Sequence, residues 1–171
     1  KTLMLKDFIF DNDDQGHTFS FYLVEFCSLP VIELVFNKLK SELSVEELNN
    51  FLLMKDKNWQ RIALLHSIRQ PNEKIFFFLF DNVYCKSLKL KDFIFDTDGY
   101  GQNLLHNLAS NRTISDQQLM IICKKLENDL SCEDLKELLK SRLKGQHNFL
   151  HCVAFKNKDV KFVELLFSFI K

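Results

Sequence analysis

Apolar residues in this chain fall into short stretches with helical spacing, each closed by a polar or glycine-bearing turn. Phe19 to Phe26 read as one helix, and Val31, Ile32, Leu34, Val35 and Leu39 carry the next. Ser44-Val45-Glu46-Glu47 matches a capping box, in which a serine hydroxyl satisfies a free amide while the glutamate reaches back. Leu48, Phe51 and Leu52 follow as a third inward face. The same phrase returns later. Leu104, Leu105, Leu108 and Ala109 point inward after the turn Asp98-Gly99-Tyr100-Gly101-Gln102. Leu119, Ile122, Cys123 and Leu126 follow the cap Ser115-Asp116-Gln117-Gln118, and Leu135, Leu138 and Leu139 follow Ser131-Cys132-Glu133-Asp134. Pro30 and Pro71 sit where second helices open, a place where a missing amide costs nothing. Between the two long phrases the third helix is compressed into residues 88–95. Ile75 to Phe80, the densest apolar run, is too short to span a bilayer and reads as a helix buried on more than one face. A hydrophobic docking surface is the competing reading of that run. The last stretch, with Phe162, Val163, Leu166 and Phe169, has no third helix and no polar cap. The expectation is a longer natural chain or a partner covering this end, and an opening Lys1 without methionine fits the former.

The phrases repeat at a fixed interval. Leu5-Lys6-Asp7-Phe8-Ile9-Phe10-Asp11 returns unchanged as Leu90-Lys91-Asp92-Phe93-Ile94-Phe95-Asp96, 85 positions later. Leu64-Leu65-His66, Leu104-Leu105-His106 and Phe149-Leu150-His151 recur with their histidines 40 and 45 apart. A further step back from His66 reaches Phe21, just after Gly16-His17-Thr18. The unit is about 43 residues, and such periods mark stacked solenoids whose neighbouring units bury one continuous core. The expected architecture is all-α, a single domain over 1–171 with units near 11–55, 56–95, 96–140 and 141–171. Some units carry a third helix.

Gly101-Gln102-Asn103-Leu104-Leu105-His106-Asn107-Leu108-Ala109 resembles the ankyrin-repeat motif Gly-x-Thr-x-Leu-His-x-Ala-Ala. Gln146-His147-Asn148-Phe149-Leu150-His151-Cys152-Val153-Ala154 is similar, as is the stretch through Ile62-Ala63-Leu64-Leu65-His66. The resemblance implies that Gly16, Leu65, His66, Gly101, Leu105, His106, Leu150 and His151 are structural repeat positions. It also implies that the histidine rings help to tie adjacent turns. The chain departs from the motif in several ways. Ankyrin repeats run about 33 residues, and a third helix near 45–54 and 132–142 accounts for the excess here. The motif's threonine survives only as Thr18, replaced elsewhere by Ala63, Asn103 and Asn148. Its glycine is lost at Arg61 and Gln146, and Trp59 stands where a turn is normally small.

Charge and chemistry narrow the function. Lys and Arg number 23, as do Asp and Glu, so the net charge is zero and the chain lacks the basic excess expected of a nucleic-acid or anionic-membrane binder. The five cysteines are scattered with no Cys-x-x-Cys pair, which suits free thiols in a reducing, cytoplasmic setting. Neither a phosphate-cradling glycine loop nor a Gly-x-Ser-x-Gly elbow occurs. His147, His151 and Cys152 come nearest to a metal cluster, yet they lack a third well-placed ligand and a His-Glu-x-x-His pattern. The expectation is therefore no enzyme, no cofactor and no metal, but a scaffold binding another protein through its turn tips and the concave face that the resemblance implies. Asp13, Asp14, Gln15 and His17, then Trp59 and Gln60, Tyr100 and Gln102, and finally Gln146 and His147 fall at successive tips. Large aromatics there bury much area on binding for little entropy. Trp59 either serves so or folds back to plug its own irregular turn. The alternative function is the non-catalytic targeting portion of a larger enzyme, toxin or host-directed effector.

Overall fold

The structure, a computed structural model, describes residues 5–57, 62–70, 72–84, 90–111, 114–145, 147–155 and 164, with the backbone alone for 83, 84, 92 and 116–118. It is all-helical. Trp59, Gln60, Arg61, Pro71, Gln146, Phe162, Val163, Leu166 and Phe169 lie outside the described residues. The chain divides into two compact units, Lys1–Leu88 and Lys89–Lys171.

In the first unit a single helical turn, α1 (Lys6–Ile9), precedes α2 (Phe19–Phe26), α3 (Leu29–Glu42), α4 (Val45–Leu53), α5 (Ala63–Ser67) and α6 (Glu73–Tyr84). The second begins with α7 (Lys91–Ile94) and continues through α8 (Leu104–Ser110), α9 (Asp116–Asp129), α10 (Cys132–Lys140) and α11 (Phe149–Phe155). Isolated β-bridges pair Asn12 with Thr18 and Arg142 with Asn148.

The repetition reaches the atomic level. α3 and α9 are 14 residues long, and α4 and α10 are 9. Ser44 and Ser131 form complete capping boxes with Glu47 and Asp134, as their spacing predicts. Each box is then bridged by the same lysine of the duplicated heptapeptide. Lys6 Nζ lies 3.9 Å from Glu47 and Lys91 Nζ 2.6 Å from Asp134. Pro30 occupies the first turn of α3. α10, expected to run to about Arg142, stops at Lys140. There the Ser141 hydroxyl donates back to Leu138 O at 2.6 Å and its amide to Glu137 O at 2.9 Å.

α5 lies at the centre of the first unit, packed against α2, α4 and α6, and Ile62 through Ile68 are all buried. Phenylalanine fills the surrounding space. Phe36 meets Phe51 and Phe78 edge-on at 6.2 and 5.4 Å, and Phe76 stacks on Phe80 at 5.5 Å. Each fully buried ring contributes on the order of 2–3 kcal/mol. Ile75, Phe76, Leu79 and Phe80 are buried, which makes the apolar run of α6 core. The inward stripe of α3 is Ile32, Phe36 and Leu39, whereas Val31 and Leu34 are exposed. Five apolar residues are more than one helical face can bury, and packing on Phe51 and Phe78 selects the face centred on Phe36. Leu48, Leu135 and Leu139 are half-buried, because α4 and α10 press only one edge inward.

Candidate functional site

Three turns are built alike. The amide of Asp13 donates to His17 O (2.9 Å), that of Asp98 to Gln102 O (3.0 Å) and that of Leu143 to His147 O (2.8 Å), at the same 85- and 45-residue intervals as the sequence repeats. In the first two, the aspartate carboxylate accepts two amides of its own turn. Asp13 Oδ1 takes those of Gln15 and His17, and Asp98 Oδ1 those of Tyr100 and Gln102. Gly16 and Gly101 then turn the chain with φ of +84° and +79°. Neighbouring turns touch. The Lys57 amide donates to Gly16 O at 2.7 Å, and the Lys144 amide to Tyr100 O at 3.3 Å.

Behind each turn a side-chain oxygen caps the following helix. Thr18 Oγ1 accepts the Phe21 amide at 3.1 Å. Asn103 Oδ1 accepts the His106 amide at 3.1 Å and lies 2.6 Å from His106 Nδ1, while Asn148 Oδ1 is 2.5 Å from His151 Nδ1. Asparagine thus keeps the threonine's capping role and frees a separate amide group to donate: Asn103 Nδ2 reaches Ser141 Oγ of the next turn at 2.7 Å. His66 has no such cap, since Ile62 precedes α5 without a side-chain bond and that helix is only 5 residues long. Its Nε2 instead meets Glu25 Oε2 of the preceding repeat at 2.6 Å. His106 is fully buried, and burial holds its imidazole below the usual value, although the Ser141 backbone and Asp98 pull it up. His151 is exposed, as is Leu150, whereas Leu65 and Leu105 are buried.

Among the tip residues, Asp14, Gln15 and His147 are exposed and His17 and Gln102 half-buried. Tyr100 stands out at 53% exposure. Trp59, Gln60 and Gln146 fall outside the described residues. An exposed apolar surface beside the first tip lies outside the expected residues. From the first turn, a row of rings runs down α2. His17 stacks on Phe21 (4.3 Å, 9°), Tyr22 meets both edge-on, and Tyr22 stacks with Phe26 at 5.9 Å. Phe21 also touches His66 of α5 at 4.7 Å. Tyr22 is 37% exposed and Phe26 72%. The Tyr22 hydroxyl donates to Asp13 Oδ2 at 2.5 Å, which fixes the ring and holds the Asp13 carboxyl below its usual range, with the His17 amide assisting. The same bond raises the Tyr22 phenol. Glu25 accepts from Gln70 as well as pairing with His66. The signal lay in plain view: α2 is apolar at all but Ser20 and Glu25, and a surface helix apolar all round has another face to cover.

Other chemistry is sparse. Among the described residues no group of three His, Cys, Asp or Glu is placed to hold a metal ion. His147 and His151 approach edge-on at 5.8 Å between ring centres. Cys27, Cys123, Cys132 and Cys152 are free thiols, and burial pushes Cys123 up to about 12, an unreactive range. No described helix is long and apolar enough to cross a membrane.

No protein-family model matches the chain, and none of the curated proteins matches it. Its fold is similar to a chain of the crystal structure of the yeast ribosomal protein Rps3 in complex with its chaperone Yar1. The TM-score is 0.64 at 14% identity, covering 92% of this chain and 94% of that one.

Proposed function

We propose that this chain is a protein-binding scaffold of ankyrin type, a helical solenoid of elongated repeats that engages a partner through turn tips and first-helix surface. The observation that carries the reading is the aromatic row of Phe21, Tyr22 and Phe26, mounted on a turn whose bonding repeats down the chain. Repeated Asp and Gly turns, threonine or asparagine caps and a histidine three residues after each asparagine cap support the ankyrin assignment. Rigid turns linked amide to carbonyl hold side chains in a fixed array, and such an array binds with little ordering cost. Binding requires no cofactor on this reading, and catalysis is no part of it. A fold of this kind also occurs in an assembly of two proteins.

Affinity capture from cell lysate, quantified by mass spectrometry, tests the proposal. Wild type is compared with Tyr100→Ala and Phe26→Ala, each first shown to be folded by circular dichroism. A specific partner recovered by wild type and depleted with either variant is the expected result. Wild-type recovery matching an unrelated control protein would refute it.

A further inference from the structure

Charge is distributed unevenly along this neutral chain. Residues 7–37 hold Asp7, Asp11, Asp13, Asp14, Glu25 and Glu33 and no lysine or arginine. This same stretch builds the first turn and the exposed ring row of α2. From that coincidence we infer that the α2 face docks a basic segment of a partner protein, with arginine or lysine heads seated over Tyr22 and Phe26 between the Asp13–Asp14 tip and Glu25. The inference rests on the protein-binding reading and adds the chemistry of the partner.

The geometry suits such a ligand. Tyr22 and Phe26 are stacked at 5.9 Å with an interplanar angle of 26°, so they offer a continuous ring surface to a planar guanidinium or an ammonium stem. Two carboxylates flanking the rings are already fixed. Asp13 is held by Tyr22 and two turn amides, and Glu25 by His66 and Gln70. Acceptors held in place lose little freedom when a cation arrives. Asp14 is exposed at the tip and contributes its charge without serving the turn's closing bonds. The sign of this surface repels phosphate, so nucleic acid and anionic lipid do not fit it. The compensating positive charge lies elsewhere in the chain, which makes a second copy the competing occupant. Lys57, whose Cβ packs on Gly16, and Arg69, beside Gln70, are among the cations of the adjoining segment and stay unchanged in every variant.

The test is fluorescence anisotropy with a labelled short peptide in which arginine alternates with serine, beside counterparts carrying glutamine or glutamate in place of arginine. Wild type should prefer the arginine peptide over the glutamine one by about tenfold at low salt, with the preference shrinking as salt rises. Phe26→Ala should weaken the arginine peptide about fivefold, and Asp14→Asn should reduce the preference without abolishing it. Phe26 is largely exposed, so its removal leaves the core intact. Equal binding of the arginine and glutamine peptides, or undiminished binding by Phe26→Ala, overturns the inference. So does a wild-type dimer in light scattering that Phe26→Ala dissolves, because the face then belongs to a second copy. Failure to bind any peptide also overturns it. If capture still recovers a specific partner in that case, the scaffold reading survives alone; if capture is empty too, both fall.

Discussion

Gly16→Ala should destabilise the first unit more than Gly101→Ala destabilises the second. Both positions have left-handed φ, +84° and +79°, where an L side chain costs about 1–2 kcal/mol. That part is shared, but the space is not. A Cβ on residue 16 would stand 2.8 Å from Lys57 Cβ. That atom is rooted in a backbone whose amide is already bonded to Gly16 O at 2.7 Å, so relieving the clash strains the link between turns. At residue 101 the nearest atoms are Lys144 N at 3.3 Å and Leu143 Cα at 3.5 Å, and the corresponding amide bond is a looser 3.3 Å. Overpacking costs about 1–3 kcal/mol, which puts Gly16→Ala near 3 kcal/mol and Gly101→Ala at about 1–2 kcal/mol. Asparagine separates the two causes, since it tolerates the left-handed region but carries the same Cβ. Gly101→Asn should recover most of the loss, and Gly16→Asn should not. Urea unfolding followed by circular dichroism gives the totals. Hydrogen exchange on peptides from each unit assigns them, because two units need not unfold together. An equal or larger loss for Gly101→Ala, or a neutral Gly16→Asn, would refute the close stacking of turns.

Acidification should weaken the second unit through His106. Its folded pKa is depressed by burial, so stability is full above the ordinary imidazole value and is lost as pH falls below it. The thermal midpoint should drop between about pH 7 and about pH 5, with a flatter slope in His106→Gln. Asn103→Thr should retain the cap but lose the Ser141 link, costing about 1 kcal/mol, while Asn103→Ala loses both and costs about 2–3 kcal/mol; equal losses in urea melts would contradict the division of labour. Lys91 and the Ser131 cap hold Asp134 below the carboxylate range. Its contribution is therefore complete above the usual carboxylate pKa and disappears as pH falls through the depressed one. Asp134→Asn should flatten the acid limb of a stability–pH curve measured in urea.

Much of this architecture was legible because its determinants are local. A serine three residues before a side chain that can reach back specifies a capping box, and two of the three expected boxes formed, at Ser44 and Ser131, while the Gln118 side chain of the third lies outside the described residues. The helix expected at 19–26 has those limits because Thr18 caps it at one end and Cys27 turns extended at the other. What local pattern did not disclose depends on distant partners. Val31 and Leu34 share a helix with Ile32 and Phe36, and only the positions of Phe51 and Phe78 decide which of them turns inward. The same limit explains why tips drew attention before the α2 face. Tip residues are identified by a turn motif, whereas Tyr22 and Phe26 matter because they stay exposed in the folded unit, at 37% and 72%. Such a surface is defined by the packing it lacks, and that emerges only once every neighbour has been placed. Phe26 therefore carries more weight than its place in the sequence suggests: an apolar residue left largely exposed beside fixed carboxylates costs solubility, and a partner that covers it removes that cost.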